Sequence, residues 1–218
     1  MAASGTASSE TPSPAGRPVP TPPCVIGLVG GVASGKSTVA RLFDEAGFVV
    51  LDADREARAV LEAAALRPWL IRNFGDEVQV STPEGPRVDR RLIADRVFRD
   101  AALRRRLEQR VHPAVAKALR RGLVEARGAS RSAVLDVPLL LESGYAELCD
   151  YILFIEVGDD ERQRRAVARG MDIEDWKRRE AAQLSLDEKR RRADRIVPNE
   201  AGVEAARTAI ADLLVLAV

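Results

Sequence analysis

Apolar residues along the chain follow two rhythms. Short unbroken runs, CVIGLVG (24–30), FVVLDAD (48–54), SAVLDVP (132–138) and YILFIEV (151–157), read as buried strands rich in β-branched side chains. Between them the spacing turns helical. In KSTVARLFDEAG (36–47), Val39, Leu42, Phe43 and Ala46 share one face, and Gly47 closes the helix as its C-cap. Residues 55–72 also predict a helix. Residues 75–89 predict a turn-rich connector suited to a small hairpin, and 89–126 predict two or three helices interrupted at His112-Pro113. Helices are expected over 159–169 and 172–193, a short last strand over RIVPN (195–199), and a closing amphipathic helix over 201–217. Strands alternating with helices give an α/β fold, a parallel central sheet flanked by helices. No internal repeat is visible.

Composition narrows the class. The chain has 218 residues and a formal net charge of +1, so a general nucleic-acid surface is not expected. Cys24 and Cys149 lie far apart and read as reduced, packed thiols of a cytoplasmic protein; with His112 the only histidine, a zinc site is not expected. Residues 1–23 are mostly Ala, Ser, Thr, Gly and Pro. They carry too little apolar surface to offset the entropy of ordering and read as a disordered tail. No apolar run reaches the ~18 residues of a membrane span.

The first strand runs into GGVASGKS (30–37), which fits G-x-x-x-x-G-K-[ST]. Glycines let backbone amides approach an anion closely, and a helix opening directly after them aims its free N–H groups and its dipole at phosphate. Gly30, Ala33, Ser34, Gly35, Lys36, Ser37 and Thr38 are therefore the expected ATP-binding residues. Lys36 would neutralise the β and γ phosphates, and the Ser37 hydroxyl would hold Mg2+. No guanine-reading N/T-K-x-D loop is present, and the length suits a small-molecule kinase. Such an enzyme gains from a carboxylate beside the acceptor hydroxyl. Asp52 and Asp54 stand at the C-terminal edge of the second strand, where open parallel sheets bind ligands. Equally, either could cap the helix that follows.

The motif order extends this reading. GLVGGVASGKSTVA, VLDAD, DRRLIADRVF, LEQRVHPAV, LDVPLLLES, ERQRRAVARG and KRRRADRIVPNEAG occur in a sequence that resembles bacterial dephospho-CoA kinase over essentially everything after residue 24. The resemblance implies a P-loop kinase with a helical acceptor-binding domain and a lid. It implies transfer of the ATP γ-phosphoryl group to the ribose 3′-hydroxyl of dephospho-CoA, the last step of coenzyme A synthesis. The core would span 24–58 and 126–218, with a lid at about 160–190, and the acceptor domain 59–125. Asp54, by its match to the DAD motif, would be the catalytic base or orienting group, with Asp52 supportive.

The remaining candidates carry plainer readings beside the functional ones. The arginine-rich run from Glu161 to Glu180 could be a solvated helix face. The resemblance makes it the lid, with Arg165 and Arg169 as catalytic arginines four residues apart on one face and Gly170 as a hinge. The family pattern places a glutamine three residues before the first of them; here Arg162 stands there, beside Gln163. Asp136, ending a buried strand, can hold magnesium through water. Glu142 could be a helix-start acid. Arg90, Arg96 and His112 are placed on the substrate side by the resemblance, Trp69, Trp176 and Phe98 could flank a ring or pack, and VPNEAG would pass near adenine. KRRRAD (189–194) suits a phosphate-facing or solvated helix better than a nucleic-acid site. A monomer or weak oligomer acting on dephospho-CoA is expected, with no nucleic-acid or membrane partner. The rivals are a different small-molecule kinase and a non-catalytic nucleotide-binding adaptor.

Overall fold

The computed structural model describes residues 17–83 and 85–217. Residues 1–16 of the expected tail lie outside them. Residues 17–23 run without regular structure, and the Arg17 carbonyl accepts from Tyr151 Oη at 3.3 Å. Strand β1 (Val25–Gly30), helix α1 (Lys36–Glu45) and strand β2 (Val49–Asp52) open the fold as a βαβ unit. Helices α2 (Ala53–Glu62) and α3 (Arg67–Phe74), the hairpin β3 (Gln79–Thr82)–β4 (Gly85–Val88), α4 (Arg90–Arg99) and α5 (Ala101–Gly128) follow. Then come β5 (Ala133–Asp136), β6 (Tyr151–Glu156), α6 (Asp159–Ala168), α7 (Ile173–Ala181), α8 (Leu186–Arg192), β7 (Arg195–Pro198), α9 (Val203–Ala209) and α10 (Ala211–Leu214).

The five long-range strands form one sheet in the order β2-β5-β1-β6-β7, every neighbouring pair parallel. β1 therefore sits in the middle, which is why all its residues are buried. Its alternation divides two cores. Ile26 and Leu28 join Val39, Phe43, Phe48, Ile210 and Leu213 on one face, while Val25 and Val29 join Leu70, Phe74, Leu119 and Leu135 on the other. The chain leaves β1 toward one side of the sheet for β2 and β5, then crosses it to reach β6. The C-terminal end of β1 is thus the switch point at which such sheets bind ligands.

Several boundaries differ from the sequence-based expectation, each for a local reason. The second strand stops at Asp52 rather than 54, because Asp52 becomes the N-cap of α2, its Oδ1 accepting from Asp54 N at 2.8 Å and Arg55 N at 3.0 Å. The helix expected over 55–72 breaks at Ala63, which is extended, and restarts with Pro68 in the first turn of α3, the one place where a missing N–H costs nothing. The helix expected over 172–193 divides before Ser185, whose Oγ accepts from Glu188 N. The closing helix breaks at Ile210, where φ is −117°.

The expected interruption at His112-Pro113 does not occur: α5 runs unbroken through Pro113 for 28 residues. An interior proline costs about 3 kcal/mol. Against it stand Val111, Val115 and Leu119, all buried, each stabilising by ~2 kcal/mol when removed from water. Burial wins. The close seat of α5 on the sheet also depends on Gly122, where a Cβ would lie 2.5 Å from Leu51 Cδ2.

Pro113→Ala restores a partner to the Gln109 carbonyl. We expect it to stabilise the fold by about 1–2 kcal/mol in urea denaturation; a destabilised variant would mean that the proline ring packs better than this account allows.

Candidate active site

The loop after β1 takes its shape from two left-handed residues, Ala33 (φ 64°) and Gly35 (φ 91°). Ala33 holds this conformation at a cost of ~1 kcal/mol. Gly35 is required sterically: a Cβ there would lie 2.4 Å from Asn199 Nδ2. Asn199 in turn donates to the Ser34 carbonyl at 2.8 Å. No side chain caps α1 at Gly35, so the N–H groups of Lys36 and Ser37 are free for an anion, while that of Thr38 donates to the Gly35 carbonyl at 3.0 Å. These residues line a cleft of about 260 Å3 together with Asp52, Asp54, Asp136, Arg169, Arg179 and Gln183. Ala33, Ser34, Gly35, Lys36, Ser37 and Thr38 are all on its wall; Gly30 lies beneath, at the end of β1.

Lys36 folds over the loop, its Nζ 3.4 Å from the Gly30 carbonyl and 3.3 Å from that of Gly31. Burial pushes its pKa below the usual lysine range, opposed in part by the Asp136 carboxylate. Asp136 is buried at the end of β5, paired in register with Asp52 of β2, and the Ser37 hydroxyl hydrogen-bonds it. Desolvation raises the Asp136 pKa, while Ser37 and Lys36 pull it down.

Asp54 stands exposed in the first turn of α2, placed there by the cap from Asp52. It borders two clefts at once. Beyond it lies a larger, mostly apolar one of about 490 Å3, lined by Ala57, His112, Pro113, Val115, Leu139 and Tyr145, and the two share only Asp54 and Pro138. His112 is thus on the wall of the second cleft. Arg90 and Arg96 line neither. Arg90 begins α4, exposed; Arg96 donates to the Phe74 carbonyl and pairs with Glu77, tying α4 to the end of α3.

The two expected catalytic arginines part company. Arg169, following α6, lines the loop cleft. Arg165 is held by Glu161 at 2.6 Å and by the carbonyls of Asn199 and Glu200 at 2.9 and 3.3 Å, behind Gly35. Phe98 is exposed, with Arg178 of α7 over its ring at 5.8 Å, while Trp69 packs near Phe74. Glu142 starts no helix; it accepts from Leu184 N at 2.9 Å and faces Lys189. In KRRRAD, Lys189 is buried with Nζ on the Gly30 carbonyl, and Arg190, Arg191 and Arg192 pair with Glu156 and Glu188. Arg179, Lys189 and Asn199 lie inside stretches named from the sequence, the arginine-rich run, KRRRAD and VPNEAG, without being picked out there, and Gln183 lies in none of them. Their signal was only a charged or amide side chain at a turn or helix end, and which of them reach the loop depends on how three short helices fold back.

A sequence profile of the family described as dephospho-CoA kinase matches residues 24–205. The chain is 40% identical to the dephospho-CoA kinase of Symbiobacterium thermophilum over 85% of its own length and 78% of that protein. It is 40% identical to that of Nitrobacter winogradskyi over 88% and 95%. Among solved structures, a Thermus thermophilus protein 34% identical superposes with a TM-score of 0.69 over 89% of this chain and 97% of that one. A Campylobacter jejuni dephospho-CoA kinase, 20% identical, shares the fold with a TM-score of 0.65 over 88% and 97%.

The raised pKa of Asp136 carries a sign for stability. The folded chain holds this proton more tightly than the unfolded one, so the contribution is full below the ordinary aspartate range and is lost as pH rises through the raised value. The net direction already includes the attraction of Lys36. Asp136→Asn should therefore melt about 2 °C higher than the parent near neutral pH. In thermal melts from about pH 4 to about pH 8 the difference should close toward the acid end.

Proposed function

The chain belongs to the dephospho-CoA kinase family, and on that premise we propose how its residues divide the work. The enzyme transfers the γ-phosphoryl group of ATP to the ribose 3′-hydroxyl of dephospho-CoA, the final step of coenzyme A synthesis. One observation carries the assignment of roles. The phosphate-binding cleft and the apolar cleft meet at Asp54, so a hydroxyl presented from one side faces a phosphate held on the other.

On this reading ATP lies with its phosphates along Ala33–Thr38, and Lys36 neutralises the β and γ oxygens. Dephospho-CoA enters the apolar cleft between α2, α5 and the segment after β5, with His112 on its wall. Asp54 orients the 3′-hydroxyl and accepts its proton as the hydroxyl oxygen bonds to the γ-phosphorus and the bond from that phosphorus to the β–γ bridging oxygen breaks, with ADP leaving. Arg169 reaches the moving phosphoryl group from the lid, and Arg165 adds charge from behind Gly35 while fixing Asn199. Residues 59–125 serve as the acceptor domain and about 160–190 as the lid. Arg90, exposed at the start of α4, is available to the acceptor's diphosphate. Arg96 supports that helix through Phe74 and Glu77.

The donor set at the loop fits Mg2+. A serine hydroxyl on a buried carboxylate, with a second carboxylate in register beside it, offers the hard oxygen ligands that this ion takes. Ser37 would hold the ion directly and Asp136 through water. When bound, magnesium supplies charge neutralisation between the β and γ phosphates. Two unpaired cysteines, Cys24 and Cys149, support a cytoplasmic setting. Among the described residues no helix is long and apolar enough to cross a membrane.

The test is product formation from ATP, magnesium and dephospho-CoA, followed by chromatography with adenosine and AMP as competing acceptors. Coenzyme A should appear with dephospho-CoA alone. Asp54→Ala should lower kcat by about 10²-fold or more while leaving ATP affinity within about threefold. Lys36→Ala should abolish turnover. Near-parental rates in the Asp54 variant would remove it from the role of base.

A further inference from the structure

Among the described residues the roles above leave two buried cations unused, Lys189 and Arg162. Arg162 of α6 is 1% exposed, and a guanidinium is buried at a cost of several kcal/mol unless its donors are engaged. Its NH2 lies 2.6 Å from Asp159 and its NH1 2.8 Å from Glu180 Oε2 of α7. That same carboxylate oxygen accepts the backbone N–H of Val32 at 2.9 Å. The Val32 carbonyl faces Arg162 NH1 and Trp176 Nε1, both at 3.4 Å, and the guanidinium lies 5.3 Å over the Trp176 ring. Gly31 leaves the space for this: a Cβ there would come within 2.1 Å of Arg162 NH1. Both polar backbone groups of one residue in the phosphate-binding loop are therefore engaged by the helices that follow β6.

We propose that Arg162 and Glu180 form a clamp on Val32 that positions the phosphate-binding loop for ATP. They are positioning residues: neither lines the loop cleft, whereas Val32 does. The inference rests on reading that loop as the ATP site. The next residue, Ala33, sits at φ 64°, a conformation that an alanine leaves when nothing holds it. Glu180 supplies the acceptor that fixes the Gly31–Val32 peptide, Arg162 and Trp176 hold the carbonyl of the peptide that leads into Ala33, and Arg162 keeps the Glu180 carboxylate aimed. Loss of the clamp loosens the amides that meet phosphate. The apolar cleft beyond Asp54 contains none of these groups, so acceptor binding is untouched.

The experiment compares Glu180→Ala, Glu180→Gln and Arg162→Gln with the parent. It reads the ATP dissociation constant and the KM of each substrate, with a melting curve for each variant. Glu180→Ala removes both the acceptor for Val32 N–H and the partner of Arg162, and should weaken ATP about tenfold. Glu180→Gln keeps an oxygen toward Val32 and should weaken it only about threefold. The dephospho-CoA KM should stay within about twofold throughout. An unchanged ATP dissociation constant in Glu180→Ala overturns the proposal. So does a parallel rise in both KM values, the mark of general loosening. Should Arg162→Gln fail to fold, the two Glu180 variants decide, since that side chain reaches the surface. A parent that binds ATP but makes no coenzyme A would sink the functional reading and leave the dissociation-constant comparison intact.

Discussion

The backbone between Gly30 and Ser37 has to hold a shape that no regular hydrogen-bond ladder supports. A strand satisfies its polar groups through neighbours and a helix through itself; a phosphate-binding loop must keep part of its amides free and still not collapse. In this protein the remaining groups are satisfied mostly from outside that stretch, with Lys36 and the Ser34 amide helping from within it. Lys189 and Lys36 meet the Gly30 carbonyl, Glu180 the Val32 amide, Trp176 and Arg162 the Val32 carbonyl, and Asn199 the Ser34 carbonyl. These partners come from α1, α6, α7, α8 and the end of β7. Much of the second half of the chain is organised around holding a short stretch of the first half.

That division explains what the sequence could and could not say. The central sheet was legible because β1, β5 and β6 are short apolar runs buried on both faces, which leaves little room for another reading, and β2 at the edge carries a run of the same kind. The loop itself was legible because its glycines and Lys36 are fixed by local backbone geometry. Asp54, His112 and Asp136 came with their motifs. The helix boundaries were less legible, since Ala63, Ser185 and Ile210 break helices for reasons that depend on a neighbour or a single cap. Pro113 was misjudged because a local penalty was weighed without the buried side chains on either side of it. The supports of the loop were hardest of all. Arg162 and Lys189 sit in runs of charge where surface exposure is the ordinary expectation, and their burial follows only from tertiary folding.

Charge under the loop also sets its electrostatic character. Lys189 and Arg162 are buried and Lys36 is half-buried near them, against Asp136, Glu180 and Glu142, and desolvation pushes both lysines below their usual range. Such a cluster is poorly solvated by design of the fold, and a polyanion arriving in the cleft brings the counter-charge that water would otherwise supply.

The cap at Asp52 has a consequence for how the two clefts stay in step. Its side chain binds the amide of Asp54, while its backbone is in register with Asp136 across the sheet. One residue therefore measures the distance from the loop cleft to the apolar cleft, as a two-residue ruler. A one-residue insertion between positions 52 and 54 would rotate the acid by about 100° around the helix and point it away from both clefts.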